Sequence, residues 1–102
     1  MGDGEVPAEL PLEDSLDLHS FAPRDIPDVV VEYLKAARAA GMAQVRLVHG
    51  RGRGVQRARV HALLVRLPWV VRAYEAPPDW GGWGATVVVL EPDEGRGTEA
   101  PG

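Results

Sequence analysis

Apolar and polar residues alternate over Ser15–His19, with Leu16 and Leu18 on one side and Asp17 and His19 on the other. A period of two over a short run predicts a half-buried β-strand. The period then changes. Ile26, Val30, Leu34 and Ala37 recur at helical spacing, with Asp25 placed to cap the helix, Pro27 in its first turn and Gly41 just beyond its end. These are the start and stop signals of an amphipathic helix. Val45–Val48 predicts a second strand, and a second helix over Val55–Leu67 presents Val60, Leu63, Leu64 and Leu67 before Pro68 stops it. Val70–Glu75 predicts a third strand. The turn-rich segment Pro77–Gly84 separates it from a fourth, Thr86–Leu90, whose continuous apolar character predicts a central position. Strands that alternate with single helices connect in parallel by right-handed crossovers. The expectation is an α/β fold: a two-layer βαβαββ sandwich with a mostly parallel four-stranded sheet.

The flanks differ from this core. Residues 1–14 read as an acidic flexible N-terminal segment, 15–90 as one folded domain, and 91–102 as a disordered acidic C-terminal tail. Apolar residues form 45% of the 102-residue chain, enough for one modest core. Cysteine is absent, which excludes disulfides, thiolate metal sites and a cysteine nucleophile. No apolar run is long enough to span a membrane, and the acidic N-terminus lacks the order of a signal peptide. A soluble, cytoplasmic protein is expected. The net charge of −4 conceals a segregation: Arg46–Arg72 holds seven arginines and no acid, between acidic flanks. A single-sign block of forked cations suits a polyanion, although a solvated helix face would also account for it.

Ligands of parallel βαβ units gather beyond the carboxyl ends of the strands. Asp17 and His19 lie at that end of the first strand and His49 at that end of the second. The loop His49-Gly50-Arg51-Gly52-Arg53-Gly54 follows, its three glycines freeing the backbone to approach a ligand at the amino end of the next helix. Arg51, Arg53 and Arg57 add charge there. No Lys-Ser/Thr follows the last glycine, as a nucleotide-phosphate loop requires, and the spacing is not that of a dinucleotide fingerprint. Asp17, His19 and His49 match no metal-ligand signature, so no cofactor is assigned, with a divalent ion left open. His49 suits either a second acid/base group or a donor that structures the loop. His61 reads as a surface or packing residue. Trp80 and Trp83 suit either stacking on unpaired bases or covering the core, with Trp83 favouring the core.

The segments LDLHS and VRLVHGRGRGV, followed by APPDWGGWGATVVVL, resemble the Smr (small MutS-related) domain over roughly residues 15–90. The resemblance implies a fold like the C-terminal domain of the third translation initiation factor. It also implies binding and endonucleolytic cleavage of RNA or DNA, in some members of RNA on stalled or collided ribosomes. By residue, Asp17 and His19 fall on the family's acid and histidine, and His49, Gly50, Gly52 and Gly54 on its loop. With the loop chemistry read above, the expected site is Asp17, His19 and His49 in catalysis and Gly50, Arg51, Gly52, Arg53, Gly54 and Arg57 on phosphate. Ser20 departs from the family's usual glycine, and Arg51 stands where lysine is common. The alternative is a non-catalytic module that binds RNA, a ribosome or DNA through the same surface. A small-nucleotide binder is a third reading. Salt separates the polyanion readings from the last: affinity for a labelled polynucleotide should fall with a log–log slope of about −0.7 to −0.9 per phosphate neutralised. A slope near that of a mononucleotide would refute the polyanion assignment.

Overall fold

The computed structural model describes residues 13–50, 52 and 54–93. Most of the acidic lead-in and tail, together with Arg51 and Arg53, therefore lies outside the described residues. The elements run β1 (Ser15–Asp17), α1 (Ile26–Ala39), β2 (Gln44–Val48), α2 (Val55–Leu64), β3 (Val70–Glu75) and β4 (Ala85–Leu90). Ile26, Val30, Leu34 and Ala37 are the buried stripe of α1, the four positions marked by the periodicity. Its end is a Schellman arrangement: Gly41 takes φ +86°, its N–H bonds the Arg38 carbonyl, and the Met42 N–H bonds that of Ala37. Asp25 makes no side-chain cap; it lies in a 3-10 turn, Pro23–Asp25, that leads into the helix.

Strand order is β1-β2-β4-β3, with β1 parallel to β2 and β4 antiparallel to both its neighbours. The expected mostly parallel pairing is thus corrected to a mostly antiparallel one. The reason is local. The helical crossovers do send β1, β2 and β3 in one direction, but a nine-residue turn after β3 leaves no room for a crossover. The chain therefore doubles back, and β4 inserts between β2 and β3. Its central position agrees with its apolar sequence, five of its six residues being buried.

Both helices cover one face of the sheet. Val30, Leu34 and Ala37 of α1 and Val60 and Leu64 of α2 pack with Val45, Leu47, Val88 and Leu90. On the opposite face, Val48, Ala85, Val87 and Ala76 form a second, smaller apolar cluster. The β1 strand is shorter than the alternation suggests: it ends at Asp17, and Leu18–Ser20 form a 3-10 turn. The α2 helix also stops early, at Leu64, with Leu63 and Leu67 partly buried against the core.

Candidate active site

Where β1 ends, Asp17 caps the 3-10 turn through its side chain. Its Oδ1 accepts from the His19 backbone N–H at 2.9 Å and from the His19 ring nitrogen Nδ1 at 2.7 Å. The backbone donor first, and then the ring, hold the Asp17 carboxyl below the usual carboxylate range. An ionised carboxylate only accepts, so Nδ1 carries a proton, and in the neutral ring Nε2 is the nitrogen with the free lone pair. The two side chains therefore meet through a turn rather than along a strand, and both stay 62% exposed. Ser20 completes this turn. No described non-glycine residue has positive φ, so replacing the family's usual glycine costs no left-handed strain.

Across a small cleft of about 200 Å³ lies the glycine loop. His19, His49, Gly50, Gly52, Gly54, Val55 and Gln56 line it. Gly50 has φ +86°, and a Cβ there would stand 2.6 Å from His19 Nε2, so both the backbone and the histidine ring require glycine. The Gly50 and His49 N–H groups both bond the Gly84 carbonyl, at 2.9 and 3.0 Å. Those amides hold the loop to the end of the turn before β4 and are not available to a ligand. The first-turn amides of α2 at Val55 and Gln56 lack intrahelical acceptors and sit at the positive end of the helix, on the cleft wall.

His49 itself is only 6% exposed, and both ring nitrogens are engaged: Nδ1–H donates to the Gly50 carbonyl at 3.0 Å, and Nε2 meets Thr86 Oγ1 at 2.9 Å. His61 Nε2 meets the same hydroxyl, also at 2.9 Å. The directions follow from donor counts. A carbonyl cannot donate, so Nδ1 of His49 holds its proton; neutral Nε2 then accepts the Thr86 hydroxyl proton, and Thr86 accepts from His61 Nε2–H. Burial, above all, lowers both imidazoles from 6.5 and favours this neutral arrangement. Of the two roles open to His49, this supports structuring of the loop.

His61, read from the sequence as a surface or packing residue, packs inward on Thr86. Thr86 itself escaped the sequence reading, although a signal was present. A hydroxyl at the start of a central apolar strand must be hydrogen-bonded once buried, which calls for polar partners on the facing helix. Arg57, placed by sequence among the phosphate ligands, does not line the cleft. Its guanidinium stacks 4.0 Å from the centre of the Trp83 ring and lies 3.8 Å from Glu75. Trp83 in turn backs Gly54, where a Cβ would come within 3.4 Å of the indole. Arg51 and Arg53 belong to the undescribed residues. Among the described residues, no three His, Asp or Glu side chains are grouped to hold a metal ion, and no helix is long and apolar enough to cross a membrane.

Fold and site together define an α/β domain with an acid–histidine pair facing a glycine loop at the amino end of a helix. Comparison with known proteins assigns this class: the Smr domain profile matches residues 16–91, and the chain belongs to that family. The Smr domain of Thermus thermophilus MutS2 superposes with a TM-score of 0.73 at 36% identity, covering 78% of this chain and 100% of that one. YdaL, a stand-alone small MutS-related protein from Escherichia coli, gives the same TM-score at 29% identity, covering 79% of this chain and 66% of that one. In sequence, the Endonuclease MutS2 of Thermus thermophilus is 43% identical over 63 residues, 62% of this chain and 8% of that protein. The Ribosome rescue factor SmrB of Tolumonas auensis is 28% identical over 76 residues, 74% of this chain and 44% of that protein. The chain thus spans about a tenth of its MutS2 relatives and under half of SmrB.

The network of His49, Thr86 and His61 makes stability pH-dependent. Because folding lowers both imidazoles below 6.5, the unfolded chain binds protons there that the folded chain refuses. Stability should be full above about pH 7, fall as pH drops below 6.5, and level off below the folded values. Urea unfolding between pH 8 and 5 measures this, and a flat profile through pH 6 would contradict it. At pH 7.5 Thr86→Val should cost about 1–3 kcal/mol by leaving buried ring nitrogens unpaired.

Proposed function

We propose that this Smr domain is an endonuclease that cleaves phosphodiester bonds, with RNA as the preferred substrate. The observation that carries the reading is the Asp17–His19 contact of 2.7 Å, which fixes the ring with its basic nitrogen toward the glycine-loop cleft. A site that only bound phosphate would need the loop and the helix end, but no oriented base. The names of the relatives point the same way, one group being called endonucleases and another a ribosome rescue factor.

In RNA the nucleophile is supplied by the substrate. Nε2 of His19 takes the proton of a 2′-hydroxyl as that oxygen attacks the adjacent phosphorus. The resulting imidazolium is stabilised by Asp17, whose carboxylate already faces Nδ1. The P–O5′ bond breaks, and the 5′-oxygen leaves with a proton from water, giving a 2′,3′-cyclic phosphate and a 5′-hydroxyl. The α2 amides at Val55 and Gln56, with Arg51 and Arg53 of the loop, oppose the charge that develops on the phosphoryl oxygens. His49 holds the Gly50 carbonyl and keeps the loop at the distance that His19 requires.

End-labelled single-stranded RNA tests this reading. His19→Ala should slow cleavage by about 10²–10⁴-fold, the usual contribution of a positioned base, while leaving RNA affinity within about twofold. Product ends should be cyclic phosphate and 5′-hydroxyl. Equal rates for wild type and His19→Ala would remove His19 from the chemistry. Tight RNA binding with no cleavage by the wild type would establish instead the non-catalytic binding module.

A further inference from the structure

The sheet face that carries no helix is not a plain solvated surface. Registers across three strands align its outward residues in two rows. Arg46 of β2 pairs with Val87 of β4, which pairs with Tyr74 of β3; Gln44 pairs with Val89, which pairs with Arg72. With strands about 4.8 Å apart, Arg46 and Tyr74 stand roughly 10 Å from one another across the buried Val87. Trp80, from the turn before β4, folds over the same face. Its carbonyl accepts from Arg46 Nη1 at 3.0 Å, and the Arg46 guanidinium lies 5.6 Å from the centre of the indole. Arg72 lies 5.1 Å from the centre of the Tyr74 ring. Two aromatic–arginine pairs are thus displayed side by side, with Tyr74 and Trp80 still 37% and 39% exposed.

Between them is a cleft of about 260 Å³, lined by Gln44, Tyr74, Pro77, Asp79 and Trp80. Its volume is below the range of drug-sized sites and suits one planar ring. Its chemistry separates a base from a phosphate. Asp79 lines the cleft and its carboxylate disfavours a phosphate there, while Asp14 borders the neighbouring recess of Arg46 and Trp80. Carboxylates accept hydrogen bonds from N–H groups, as the Gln44 amide oxygen also does. Phosphates flanking a seated base would fall instead to Arg72 at the open end of the rows.

We propose that this face is a nucleobase subsite of the same domain: Tyr74 and Trp80 take an unpaired base, and Asp79 reads its N–H edge. Guanine fits best among the four, because two adjacent donors, N1–H and the 2-amino group, meet the two oxygens of one carboxylate. The subsite lies on the sheet surface opposite the helices, away from the α2 end that lines the cleft of His19. It makes the domain a reader of single-stranded nucleic acid, since stacking needs a base out of its duplex. The inference rests on the nucleic-acid half of the function proposed above and not on cleavage.

Anisotropy of fluorescein-labelled 12-mers tests it, in the His19→Ala background so that cleavage does not intervene. Trp80→Ala and Tyr74→Ala should each weaken binding of a guanine-containing single strand by about tenfold or more, with a blunt duplex affected less than twofold. Trp80→Phe should restore most of the loss. Asp79→Asn, at an exposed position with no packing role, should reduce the preference for guanine-containing over oligouridine strands at least threefold. Thermal melts report whether the alanine variants fold; if one does not, Trp80→Phe and Asp79→Asn still decide. Unchanged single-strand affinity in the folded variants, or equal losses for duplex and single strand, would overturn the subsite. Absence of wild-type cleavage, with the Trp80 and Tyr74 dependence intact, would remove the nuclease reading alone.

Discussion

A single buried hydroxyl, that of Thr86, holds together the parts that make the site. It has one proton and spends it on His49; its lone pair receives His61. The first bond ties β4 to the residue just after β2, and the second ties β4 to α2. Because His49 is fixed at Nε2, its other nitrogen can hold the Gly50 carbonyl, and Gly50 is the wall against which His19 rests. Remove the hydroxyl and the loop loses its side-chain anchor, keeping the backbone bonds of His49 and Gly50 to Gly84, while the Asp17–His19 pair stays formed on its own turn. Orientation of the base and placement of the loop are therefore separable: one is local to residues 17–19, the other depends on a contact made 37 residues along the chain.

Charge is partitioned by stacking as much as by ion pairing. Four arginines lie over aromatic rings: Arg38 on Trp69, Arg46 on Trp80, Arg57 on Trp83 and Arg72 on Tyr74. Stacked guanidiniums keep their charge and some of their edge donors while losing mobility, which prepares them for a fixed partner. Arg38 has been diverted altogether, its donors closing on the Glu91 and Pro92 carbonyls beyond β4. The arginine block that looks continuous in sequence is thus spread over both sides of the sheet.

Element types, the α1 stripe and the central place of β4 were legible because each is written in a local period or in an uninterrupted apolar run. Strand direction was not. It depends on whether the connection after β3 can cross the sheet, and the glycine-rich segment at Gly81–Gly84 compacts into tight turns with φ +113° and +53° at Gly81 and Gly82. The acid, the two histidines and the glycines were singled out by their order along the chain, and the structure brings His19, His49 and Gly50 to one cleft. The pairing of His61 with Thr86 was missed because neither is unusual in its own neighbourhood; only the insertion of β4 places them within 2.9 Å of each other. The far-face pairs were hidden likewise, since Arg46 and Tyr74 share a row only through a strand that comes after both.

That insertion also sets a timetable. A chain made from its amino end carries the acid–histidine turn, both helices and the glycine loop before the strand that organises them exists. Until residues 84–90 arrive, Gly84 has no carbonyl to offer the loop, Thr86 is absent, and β3 has no neighbour to pair with. Pairings between distant segments form slowly, because the closure entropy precedes the contact energy. The last strand therefore acts as a keystone: a partly synthesised chain holds the acid–histidine turn and the glycine loop but not the frame that sets them against one another.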